Sequence, residues 1–172
     1  MRGVGHARSV DGVTRPTPDT SPSSTSSRGR LGLPILALIG LALLAVPRIV
    51  LHDLGLISEG TAINSVLVFL PPLVWIGVVL WRRVPNPFVT LLVVGVFHGV
   101  LLALTHQLLW SRGLAGSPPR LGGNLAGLDP GLQEGIIRSF AAVSSLFTGI
   151  IVGVIAGLVA WGLRAVTRSV RG

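Results

Sequence analysis

Four histidines and six carboxylates are all this chain offers for acid-base or metal chemistry, because it contains no cysteine. That absence removes disulfides, thiolate metal sites, haem attachment and cysteine nucleophiles together. Two of the histidines, His98 and His106, fall inside an apolar run from Phe88 to Trp110. An ionisable group within a membrane-length segment marks a functional site by default, and imidazole suits proton relay, pH sensing or metal ligation. The plainer reading of His98 is a neutral ring hydrogen-bonded to the carbonyl of Leu67 or Val68, or to Thr148. His106 has Thr105 and Gln107 beside it and Trp110 one turn on, the setting of an ordinary polar helix end.

His52 and Asp53 emerge at the same end of the bundle as His106, so these three form a conceivable metal set. No dedicated spacing such as His-x-x-x-His or His-Glu-x-x-His supports it, and neither a metal nor another cofactor is expected. A hydrolase would need a nucleophile with its base, or an acid pair. Ser65, Ser139, Ser144 and Ser145 are scattered, and no Asp or Glu lies inside an apolar span. Serines in membrane helices serve mostly in packing and hydrogen bonding, so the chain is not expected to be an enzyme.

Small residues are the more regular signal. Ser145, Gly149, Gly153 and Gly157 recur every fourth position between Ser139 and Trp161, which places them on one helix face. Gly95, Gly99, Ala103 and His106 gather within about 80° on the preceding apolar run, with Val93, Phe97, Val100, Leu101, Leu104 and Leu108 on the other side. Lipid gives helices no hydrophobic reason to associate, so close backbone approach over small residues supplies the packing. Counting inward roughly 18 Å from Trp110 and from Arg138 sets Gly95 level with Gly153 and Gly99 level with Gly149. The two stripes are therefore expected to form a close crossing.

The elements that position these residues follow from hydropathy. Of the 172 residues 49% are hydrophobic and only 12% charged, with a mean hydropathy of +0.74, values that belong to an integral membrane protein. Four spans are expected, at about 31–51, 62–81, 88–110 and 138–163. The first is about 30 Å long, matching a bilayer core, with Pro34 in its first turn and Pro47 bending its far end. A signal-peptide reading is disfavoured, since Ala45-Val46-Pro47-Arg48 puts proline at the cleavage site. Pro71 and Pro72 should kink the second span and free the carbonyls of Leu67 and Val68. Arg82 to Pro87 is a tight turn.

Residues 1–30, rich in Ser, Thr, Pro, Gly and Arg, bury too little apolar surface to offset ordering and are expected to be a disordered tail. Ser111 to Leu128 is a loop whose glycines lack the Lys and Ser or Thr of a phosphate-binding loop. Asp129-Pro130 starts the last helix, which begins before its span and continues through Val166. Residues 31–172 thus form one domain, an all-α bundle of four transmembrane helices.

All fourteen basic residues are Arg, and the net charge is +8. These arginines flank apolar segments rather than forming a patch, which argues against nucleic acid as a partner. With Gly, Ala, Val and Leu abundant, they point by association to a bacterial gene of high GC content. A cytoplasmic N-terminus puts ten Arg inside and four outside, as the positive-inside rule requires, so both termini are expected in the cytoplasm of a cell-membrane protein.

Two functions are consistent with these residues. The first is a non-catalytic membrane component acting through helix packing, as a homo-oligomer or as an accessory subunit of a membrane complex, motivated by the small-residue stripes. The second is a small transporter or channel-like protein for protons or a cation, with His98 and the Pro71-Pro72 kink lining the path.

Overall fold

A computed structural model describes residues 31–113 and 119–169. The expected tail at 1–30 and part of the 111–128 loop lie outside them. The described chain is all-helical, and four helical stretches are long and apolar enough to cross a membrane. They are Ile35–Asp53, Ala62–Trp81, Pro87–Arg112 and Pro130–Ser169.

The first stretch is not one helix. It consists of α1 (Ile35–Leu43) and α2 (Val46–Asp53), broken at Leu44 and Ala45. Pro47 lies in the first turn of α2, where its missing N–H costs nothing. The chain tightens before it, with Leu44 N and Ala45 N donating to Leu41 O and Ala42 O, three residues back, at 3.2 Å. The Leu41 carbonyl also accepts a 2.7 Å hydrogen bond from Trp75 Nε1. Irregular backbone in an apolar interior persists only where its polar groups find such partners.

The break in the backbone thus falls on the first stretch, whereas the second, where the proline pair predicts a kink, is one continuous helix. The helix α3 (Ala62–Trp81) runs through Pro71 and Pro72 without interruption. Thr61 starts it, its hydroxyl accepting from Asn64 N at 3.2 Å. Its other end closes with Val84 N donating to Val79 O at 3.2 Å and Arg83 at φ 50°, a left-handed cap usually given to glycine.

The most extensive helix contact among the described residues joins α4 (Pro87–Gly113) to α5 (Pro130–Ser169). A Cβ at Gly95 would lie 2.5 Å from Gly149 O and 2.6 Å from Gly153 Cα, and one at Gly99 would lie 2.9 Å from Leu146 Cα. A Cβ at Gly149 would collide with the backbone of Gly95 and Gly99. Only hydrogen side chains allow backbones this close, so the crossing is written into four glycines. Further along the stripe, Gly157 meets Phe88 rather than another glycine, with a Cβ there 3.0 Å from the ring.

The helix α4 also touches α1, α2 and α3, so it is the centre of the bundle. Its larger apolar face is consequently divided. Val93, Phe97 and Leu101 pack against the core, whereas Val100, Leu104 and Leu108 are exposed. The core itself gathers Leu38, Trp75, Val79, Leu91, Val94, Ala156 and Ala160. It fills the half of the bundle nearer the Arg82 turn.

That turn is clamped from two sides. Arg164 on α5 donates to the carbonyls of Val84 and Pro85, and Thr90 Oγ1 donates to Leu31 O at 2.8 Å. At the opposite end, Asp129 caps α5 by accepting from Gly131 N at 2.9 Å. Buried Gln133 ties the preceding loop to the helix, donating to Leu128 O at 2.8 Å and accepting from Leu121 N at 3.1 Å.

Candidate functional site

The core stops short of the end where α2 terminates, and there α2 and α5 stand apart over α4. The gap is a crevice of about 470 Å³. The α2 wall supplies Arg48, His52 and Asp53, and α4 supplies Leu102 and His106. Facing them on α5 are Ala141, Ser144, Ser145 and Thr148.

The break before Pro47 is what makes this possible. It begins α2 afresh, and one turn apart on the new helix Arg48 and His52 share a face. Arg48 Nε donates to Asn64 Oδ1 at 3.2 Å, its one hydrogen bond among the described residues. No described carboxylate lies within ion-pairing distance of it.

His106 is more than a polar helix end. Its Nδ1 donates to Asp53 Oδ2 at 2.6 Å, since a carboxylate can only accept, and Asp53 is nearly buried. This bond joins the end of α2 to α4 across the crevice floor. His52 Nδ1 lies 3.6 Å from Asp53 Oδ1, and its Nε2 lies 3.4 Å from Glu59. The three candidate metal ligands therefore do approach one another, through Asp53. Among the described residues, however, no three His, Asp or Glu groups converge on a point that would hold an ion.

With Nδ1 held by a carboxylate, the free ring nitrogen of His106 has the form of a general base, and two serines line the same crevice. Two of the crevice hydroxyls are committed to backbone carbonyls of their own helix. Ser145 Oγ donates to Ala141 O at 2.7 Å and Thr148 Oγ1 to Ser144 O at 2.9 Å. No hydrogen bond among the described residues joins a hydroxyl to an imidazole.

His98 sits below the crevice, buried in the bundle. It does not take the partners expected of it, neither the α3 carbonyls of Leu67 and Val68 nor Thr148. Its ring packs edge-on to Trp75 with centroids 5.7 Å apart, and its Nδ1 is buried without a hydrogen-bond partner. At this level α3 presents the Trp75 indole to the ring.

Sequence reasoning missed Arg48, which reads as a flanking charge because it follows a proline at the end of an apolar run. It also missed Gln107 and Arg138, which lock α4 to α5 above the crevice. Arg138 Nε donates to Gln107 Oε1 at 2.8 Å, and Gln107 Nε2 donates to Arg138 O at 2.9 Å. The Arg138 guanidinium also stacks 5.5 Å from the Trp110 ring centre. No protein-family model, curated protein or solved structure gives a significant match to this chain.

Proposed function

We propose that this chain is a multi-pass cell-membrane protein with both termini in the cytoplasm, and that it is a non-catalytic component that docks a helix of a second membrane subunit. The subunit is either another copy of the chain or a partner in a larger complex. Support for membrane residence comes from the belt of large exposed apolar side chains, including Phe69, Leu73, Phe140, Phe147, Ile151 and Trp161. A soluble monomer rarely exposes so much contiguous apolar surface.

The observation that carries the docking role is the crevice between α2 and α5. The glycine stripes that would otherwise serve association are consumed by the α4–α5 crossing within the chain. What remains on α5 is Ser144 and Thr148, exposed beside the gap. Exposed hydroxyls at membrane depth are typical hydrogen-bonding groups between helices. Conduction through one copy finds less support, since Leu38, Trp75, Leu91 and Val94 are 0% exposed and close the half of the bundle beyond His98.

The test is the mass of the particle extracted in polymer nanodiscs, without detergent. Wild type should carry a second copy or a stoichiometric companion, and Thr148→Trp, which fills the crevice, should release it. A wild-type particle holding one chain and no companion refutes the role.

A further inference from the structure

A second cavity, of about 740 Å³, lies between the C-terminal ends of α3 and α5. Its walls are graded. Val79, Leu80 and Leu163 line it toward the middle of the bundle, Trp81 stands beside them, and Arg83, Arg164 and Arg168 line it toward the end. The four described carboxylates, Asp53, Glu59, Asp129 and Glu134, all belong to the opposite end, and none is within ion-pairing distance of these arginines. Three guanidinium groups thus share one cavity with no countercharge among the described residues.

The backbone adds an independent observation. Arg83 is the one non-glycine described residue at positive φ, at 50°. Its position, immediately after α3, is one that glycine fills without strain. The cap by itself therefore does not call for the arginine side chain that lines the cavity.

We propose that this cavity binds the phosphodiester headgroup of an anionic phospholipid, with Arg83 and Arg168 facing the phosphate and the acyl chains leaving past Leu80 and Leu163. The inference rests on the membrane reading above. An apolar-to-cationic gradient along the helix axis matches a lipid that keeps its head at the interface and its tails in hydrocarbon. Basic pockets between spans on the cytoplasmic side recognise such heads, and tryptophan beside them sits at the same interfacial level. Arg164 has a second task, holding the Val84 and Pro85 carbonyls, so it positions the turn as well as adding charge.

The experiment uses the full chain in a nonionic detergent, titrated with phosphatidylglycerol, phosphatidylcholine or glycerol 3-phosphate. Retained lipid is read by native mass spectrometry, with a thermal melt of each sample. Phosphatidylglycerol should bind in preference to phosphatidylcholine and raise the melting temperature. Glycerol 3-phosphate, which has the anionic head without acyl chains, should not displace it. Arg83→Gly and Arg168→Gln should each weaken phosphatidylglycerol binding about fivefold. Arg83→Gly should not lower the melting temperature of the lipid-free protein, because glycine accepts the left-handed cap. Arg120→Gln, at the other end, should change nothing. Equal retention of both lipids, or binding unchanged in both arginine variants, overturns the proposal, and displacement by glycerol 3-phosphate reassigns the cavity to a free phosphate ester. A chain that stays soluble without detergent refutes the membrane reading instead.

Discussion

Trp75 Nε1 and the Leu41 carbonyl are joined by a 2.7 Å hydrogen bond between α3 and the break that separates α1 from α2. The bond spans 34 residues of chain and lies in the buried core. It compensates a carbonyl that the tightened backbone before Pro47 no longer pairs in regular helical fashion. Trp75→Phe keeps the ring and removes the N–H. The expected loss is about 1 kcal/mol, within the range of membrane hydrogen bonds. Unfolding in mixed micelles measures it, and a variant as stable as wild type would show that the break satisfies itself.

The α4–α5 crossing depends on four glycines, and other glycines provide the control. Gly149→Ala and Gly95→Ala drive a methyl group into backbone, which cannot move aside as a side chain can, so each should cost roughly 1–3 kcal/mol. Gly77→Ala, where nothing lies within 4 Å of the new methyl, should be neutral or slightly stabilising. Folded yield and melting temperature across the three variants test the contrast. Similar behaviour at all three sites would remove the crossing from the account of stability.

Asp53 and His106 should behave as one unit. Asp53→Ala and His106→Ala each remove the 2.6 Å bond, and the double variant should lose little more than either single one. A coupling of about 0.5–3 kcal/mol is expected from a double-mutant cycle on directly contacting residues. Additive losses would mean that the end of α2 is anchored by other contacts.

His98 is held by packing against Trp75 rather than by a hydrogen bond. His98→Phe keeps an aromatic edge against the indole and removes the unpartnered nitrogen, so it should stabilise the fold by about 1 kcal/mol. Proton or cation flux into liposomes decides the alternative role. Flux in wild type that disappears in His98→Phe would restore the conducting reading, while no flux in either agrees with the docking component.

Orientation is open to direct labelling because the chain has no cysteine of its own. Single cysteines at Ser58 and Asn86 lie at opposite ends of α3, and both positions are exposed. In intact cells a membrane-impermeant thiol reagent should reach Ser58→Cys and not Asn86→Cys. The reverse pattern would invert the topology.

Composition and spacing were sufficient for the all-helical class, for four stretches of membrane length, and for the register of the glycine stripes. These properties are legible because they are local or periodic. Hydropathy accumulates over about twenty consecutive residues whatever the neighbours do, and a four-residue repeat fixes a helix face before any partner is known. The crevice and the break were not legible, because each depends on what another helix brings to the same level. Pro71 and Pro72 remove two backbone donors, yet α3 continues through them as one helix. Pro47 suggests only a bend, yet α1 ends before it, with Trp75 adding a second hydrogen bond to the Leu41 carbonyl beside the break. Local sequence states which backbone donors are missing. Which freed acceptor finds a partner, and so where a helix can afford to stop, is decided by side chains tens of residues away. The pairing of His106 with Asp53 and the isolation of His98 follow from that same packing, since two histidines eight residues apart on one helix meet different neighbours at different depths.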